Sequence, residues 1–339
     1  LHGPEEELRD EVVSGSVDPG RLRRLSAAIL LLFCWTFSPS SAIAQTAKKV
    51  RVVTTTPDLK ALVEAVGGDR VDVESVATGD KDPHDLEIRP SHLVKLKGAE
   101  LFVRIGLDHE PWAGRLLQRA GNARLFPGGE GHLDASRDVP LLETEVPRAG
   151  RTPGHIHGFG NTHYWLDPAN ARPITANILK ALSRLSPGDA DRFGQNRATF
   201  LDRVDRALER WLRETAPYHG TRVVSYHNSW PYFAKRFGLE VVGFVEANPG
   251  VPPSPAHIGS LIERMSHHQV KIIVMEPYFS DSVPRLLAEK TGAAVVKLSP
   301  SVGGAEGIAD YIALFDYDIS RLVSAFREAG IPKRQESGR

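Results

Sequence analysis

From Asp189 to about Ala216 the chain carries Phe193, Ala198, Phe200, Leu201, Val204, Leu208 and Leu212 at roughly helical spacing, with charges between them and no glycine after Gly194. A helix of over ~20 residues in mid-chain is longer than an ordinary connection and can span from one lobe to another. On each side of it, short β-branched runs alternate with amphipathic stretches. Upstream, strands are expected at Val50–Thr56, Val71–Val76 and Leu101–Ile105, with helices over Leu59–Val66, Ser91–Lys97 and Ala169–Leu185, the last ending at Ser186-Pro187-Gly188. Downstream, strands are expected at Arg222–Tyr226, Glu240–Val245, Lys271–Met275 and Ala293–Leu298. The helices between and after them are Tyr232–Phe237, Ser254–His268, Ser282–Thr291 and Ala309–Ala329, with Ser254 as N-cap and Pro255 at the first helical position. Strand-helix alternation predicts an α/β chain of two lobes, each a parallel sheet with helices on both faces, joined by the long helix.

The 339 residues, 41% hydrophobic and 25% charged, suffice for two core-bearing domains. Lys+Arg 42 balances Asp+Glu 42, which leaves no basic field for nucleic acid. Arg21, Arg23 and Arg24, the apolar run Leu25 to Phe37 and the Ala42-Ile43-Ala44 site form a secretory signal peptide, with cleavage expected after Ala44 and the mature chain in the periplasm. The run of roughly 13 apolar residues is short of the ~20 that span a bilayer. Residues 1–20 fit no part of such a signal and are read as an over-extended gene start. Cys34, the only cysteine, leaves with the signal, and Leu32-Phe33 before it puts a bulky residue where lipid attachment requires a small one. Any metal site in the mature chain is then built from His and carboxylate. The boundaries expected are 1–44 for extension and signal, 45–186 for the first lobe, 187–217 for the linking helix and 218–339 for the second lobe.

His84, His163 and His227 stand in separate segments, D-P-H-D-L-E, N-T-H-Y-W-L-D-P and S-Y-H-N-S-W-P. In open α/β sheets ligands bind beyond the carboxyl ends of the strands, and His227 directly follows a strand while His84 lies in the loop after one. Asp167, or a neighbour, can cap the helix that follows His163. Imidazole is the commonest metal ligand, and three converging from distant segments make a site that only the folded chain assembles, between the lobes.

Pro83-His84-x-x-Glu87-x-x-Pro90-Ser91, Gly106-Leu107-x-x-Glu110-x-Trp112, His163-x-Trp165-Leu166-Asp167-Pro168-x-Asn170 and His227-x-x-x-x-Tyr232-Phe233-Ala234-x-x-Phe237-Gly238-Leu239 follow one another in order. They resemble the periplasmic zinc/manganese-binding proteins of ABC transporters, the cluster A-I metal solute-binding family, over nearly the whole mature chain. The resemblance implies one long rigid backbone helix between the lobes, His84, His163 and His227 as metal ligands, a membrane permease as partner and a monomer. The family commonly adds an Asp in the loop after the last strand of the second lobe. Here Pro300 stands close to that position, so the fourth place falls to water or to Glu276, Asp281 or Glu306.

Three neutral imidazoles suit zinc, whereas manganese does better with oxygen ligands, so Zn2+ is the expected cargo and Mn2+ the alternative. Metal binding is expected to weaken below about pH 6 as imidazoles protonate. His155 and His157, in a glycine-flanked tract, are either a modest zinc-collecting loop or incidental. His109 is expected on a surface loop, and His267-His268 as helix C-terminal capping residues. A zinc hydrolase with Glu87 as base is a weaker reading, since no H-E-x-x-H, Gly-x-Ser-x-Gly or P-loop is present. A surface adhesin has no positive sign.

Overall fold

Alternate residues of the strands serve opposite faces of each sheet, and this places every element of the protein. The computed structural model describes residues 48–144, 160–248 and 250–334. The signal segment through Ala44, Cys34, His155 and His157 lie outside them. In the first lobe, strands β1 (Val50–Thr54), β2 (Val71–Ser75), β3 (Leu101–Arg104) and β4 (His132–Asp134) form a parallel sheet in the order β2-β1-β3-β4. Helices α1 (Pro57–Gly67), α2 (Pro90–Gly98) and α3 (Ala113–Ala120) connect them. Val52, Leu101 and Val103 pack with Leu59, Leu62 and Val66 of α1 on one face. Val53 and Phe102 pack with Leu96 of α2 and Leu116 of α3 on the other. Burial on both faces explains why these strands read as continuous β-branched and aromatic runs.

The second lobe repeats the arrangement. Strands β5 (Thr221–Ser225), β6 (Leu239–Phe244), β7 (Ile272–Met275) and β8 (Ala294–Lys297) are parallel in the order β6-β5-β7-β8. They alternate with α6 (Pro231–Phe237), α7 (Pro255–His267) and α8 (Ser282–Thr291), and α9 (Tyr311–Glu328) closes the lobe. Val224 and Ile273 meet Leu261, Met265 and Leu287 of α7 and α8, while Val223, Ile272 and Val274 turn to the face covered by α9. Ser254 caps α7 by accepting from His257 N at 3.2 Å, with Pro255 at its first position as the sequence suggests.

Between the lobes run α4 (Ala171–Leu185) and the long helix α5 (Ala190–Thr215), extended by short 3₁₀ turns at Pro187–Asp189 and Ala216–Tyr218. Asp167 caps the 3₁₀ turn that leads into α4, accepting from Ala169 N at 2.9 Å. Phe193, Phe200, Leu201, Val204 and Trp211 of α5 enter a core that also holds Trp165, Tyr311, Phe315 and residues of both sheets. Asn196 donates to Val66 O of α1 at 3.0 Å, and Trp211 donates to Asp316 of α9 at 2.8 Å. The helix is therefore embedded in one shared core rather than suspended between two. Among the described residues no helix is long and apolar enough to cross a membrane.

Candidate metal centre

Both sheets have their chain reversal between the first strand and its two neighbours, and the loops that leave the carboxyl ends there carry the polar residues. His84 follows β2, His109 follows β3 and His227 follows β5, while His163 comes from the segment leading into α4. The ring centres of His84 and His163 are 5.3 Å apart, and each lies 5.5 Å from that of His227. The rings of the three histidines expected from sequence are thus neighbours, but the group whose ligand nitrogens all lie close together contains His84 and His163 and not His227. His84 is half-buried; His163 and His227 are buried.

A histidine expected on the surface joins them. His109 is fully buried, with its ring 4.3 Å from that of His84 and 5.3 Å from that of His163. His84, His109 and His163 each offer a ligand nitrogen, and these atoms all lie within 4.8 Å of one another. The surface-loop expectation for His109 fails because of its backbone. Gly106, Leu107 and Asp108 have φ of 84°, 55° and 60°, a run of left-handed residues that turns the loop inward. The signal available in the sequence was position, since the segment sits just beyond the central strand β3.

The rings are held through their Nδ1 atoms. His84 Nδ1 donates to the carbonyl of His109 at 3.0 Å, and His163 Nδ1 lies 3.2 Å from Asn161 Oδ1, which also accepts from the His163 backbone N–H. His109 Nδ1 is 2.9 Å from Thr162 Oγ1, and His227 Nδ1 donates to Glu246 Oε2 at 2.7 Å. A neutral ring that donates from Nδ1 carries its lone pair on Nε2, the arrangement that fixes tautomer and orientation in metal sites. His84 Nε2 and His163 Nε2 face each other at 3.3 Å. Glu246 was not singled out from sequence; it stands just past β6, as His227 stands just past β5. Burial raises its carboxyl above the usual range, against the hydrogen bond from Gly250 N.

Buried carboxylates brace the loops. Glu110 accepts from Thr55 Oγ1 and Ile105 N at 2.6 Å each and from Gly106 N at 3.1 Å. Burial still pushes it up to about 7. Trp112 Nε1 donates to Pro83 O at 2.8 Å, which ties the His109 loop to the His84 loop. Glu87, the base offered for a hydrolase, is exposed.

None of the carboxylates offered for the fourth place joins the cluster among the described residues. Glu276 is buried and accepts from Ser229 Oγ at 2.6 Å and Trp230 Nε1 at 3.0 Å, with burial raising it to about 7. Asp281 pairs with Arg285 at 2.8 Å, and Glu306 is exposed. Pro300 is buried, and its carbonyl accepts from Trp165 Nε1 at 2.9 Å. Next to it, Ser301 Oγ and Val302 N donate to Asp58 of the first lobe at 2.6 and 2.9 Å. Beside His163 the crevice narrows to a cavity of about 10 Å³, room for about one water, lined in part by Asp58, Trp165 and Tyr278. A larger groove of about 590 Å³ lies at the opposite ends of β5 and β7, away from the histidines, so size does not mark the site.

Two parallel-sheet lobes on a shared helix, with imidazoles gathered where their loops meet, form the architecture of a solute-binding protein for a metal ion. The family described as ZnuA, zinc-uptake complex component A periplasmic, matches residues 52–325, and the chain belongs to it. The iron-binding protein YfeA of Yersinia pestis is 26% identical over 294 residues, covering 84% of this chain and 88% of YfeA. A crystal structure of a ZnuA deletion mutant with zinc bound is 26% identical with a TM-score of 0.68, over 85% of this chain and 100% of that one. FpvC of Pseudomonas aeruginosa in complex with Mn2+ has the same fold, at 24% identity and a TM-score of 0.70 over 84% of this chain and 100% of FpvC.

Proposed function

We propose that this protein captures zinc in the periplasm, holds it with His84, His163 and His227, and delivers it as a monomer to the membrane permease of an ABC-type importer. The observation that carries this reading is the 3.3 Å approach of His84 Nε2 to His163 Nε2. Two nitrogens bound to one tetrahedral zinc at ~2.0–2.1 Å stand about 3.3–3.4 Å apart. The ion would exchange its water shell for imidazoles already oriented by their Nδ1 partners, so little ordering is left to do at capture.

Relatives described as binding iron, manganese and zinc keep the metal open at the level of the family. The donor set here favours zinc, because imidazole nitrogen serves it better than manganese, which prefers carboxylate, carbonyl and water oxygens. The test is competitive titration of Zn2+ and Mn2+ into chelator-stripped protein, native and His227→Ala. One tight zinc equivalent, weakened by orders of magnitude in the variant and poorly matched by manganese, is the expected result. Unchanged affinity in His227→Ala would remove that residue from the site. Absence of tight metal in the native protein would overturn the reading altogether.

A further inference from the structure

We propose that His109 supplies a fourth imidazole to the bound ion, so that the centre is an uncharged four-nitrogen site and His109 is the residue that sets zinc above manganese. This deepens the metal-capture reading and rests on it. The first support is placement. The ligand nitrogens of His84, His109 and His163 fall within 4.8 Å of one another, and no carboxylate joins them among the described residues. The second is the backbone. Leu107 and Asp108, neither of them glycine, are both left-handed, at a cost on the order of 1–3 kcal/mol each. The turn they form leads directly into His109, whose ring is fully buried beside those of His84 and His163.

The third support is the loop after β8, which is committed to other contacts. Ser299 N donates to Asp318 at 2.7 Å, Trp165 holds the Pro300 carbonyl, and Asp58 holds Ser301 and Val302. A side chain at Gly79 would run into the backbone at Val302 and Gly304, so the first lobe also closes on this loop directly. These residues of the loop are taken up in joining the lobes, and its one glutamate, Glu306, is exposed and outside the histidine group.

A set of four neutral nitrogens leaves the bound ion its full charge and offers no hard oxygen donor, conditions that penalise manganese more than zinc. X-ray absorption on the zinc-loaded native chain counts imidazoles through their outer-shell scattering, and four are expected. In His109→Gln the count drops to three, zinc affinity falls on the order of 100-fold or more, and manganese affinity falls less, so the ratio between the metals narrows. Three imidazoles plus oxygen in the native protein, or unaltered zinc affinity and spectrum in His109→Gln, would overturn the assignment while leaving zinc capture standing. No tight zinc in the native protein overturns both. Should His109→Gln not fold, as judged by circular dichroism of the metal-free form, the count on the native chain decides alone.

Discussion

At the scale of single residues the site depends on groups that touch no metal. Glu246 holds His227 at Nδ1, and such partners are commonly worth about 10–100-fold in metal affinity. Glu246→Gln is expected to lower zinc affinity within that range, by competitive titration, with the circular dichroism spectrum unaltered; an unchanged affinity would show that His227 needs no orienting carboxylate. Glu110 has a different task. It gathers three donors around the left-handed turn, and Glu110→Ala would strand buried N–H and O–H groups. A loss of about 3 kcal/mol or more is expected in urea unfolding, with weaker metal binding because the His109 carbonyl no longer aligns His84. The histidines at strand ends were legible from position and neighbours. His109 was misjudged because its burial comes from two left-handed non-glycine residues and a tertiary brace, neither of which leaves a propensity in the local sequence.

At the scale of elements, the contact between α1 and the loop after β8 is a charged joint. Asp58 is fully buried, and desolvation raises it from 3.8 to about 6, against the hydrogen bonds from Ser301 and Val302 that favour its ionised form. A carboxyl raised on folding contributes stability that is complete below about pH 4 and lost as pH rises through 6. Thermal or urea unfolding of the metal-free protein should therefore show the native chain losing on the order of 3 kcal/mol relative to Asp58→Asn between pH 4 and pH 7. A constant difference across that range would mean that Asp58 titrates alike in the folded and unfolded chain. The strands and helices that build this joint were readable from β-branched runs and helical spacing. The short elements β4 and α3 were not, since His132–Asp134 is too brief to show alternation and α3 is a short helix whose buried face holds only two large residues, Leu116 and Leu117, beside two alanines.

At the scale of the whole molecule, α5 and the shared core join the lobes along their length. Asn161 donates to Asn228 O at 2.9 Å, Tyr232 Oη donates to Asn161 O at 2.9 Å, and Arg236 grips Asp167 at 2.7 and 2.8 Å, all between segments on opposite sides of α5 in sequence. A wide hinge would have to break these contacts. Small-angle scattering is expected to show a radius of gyration that changes by less than about 1 Å on adding zinc; contraction by several ångströms would indicate clamshell closure instead. The embedded helix has a consequence for traffic at the membrane. With that result, empty and loaded molecules would share nearly one silhouette, and a transporter that identifies its client by outline would be occupied as readily by vacant carriers as by full ones. Efficient uptake then turns on how the few loops around the crevice present themselves, and on how large a fraction of the carrier pool is charged at any moment.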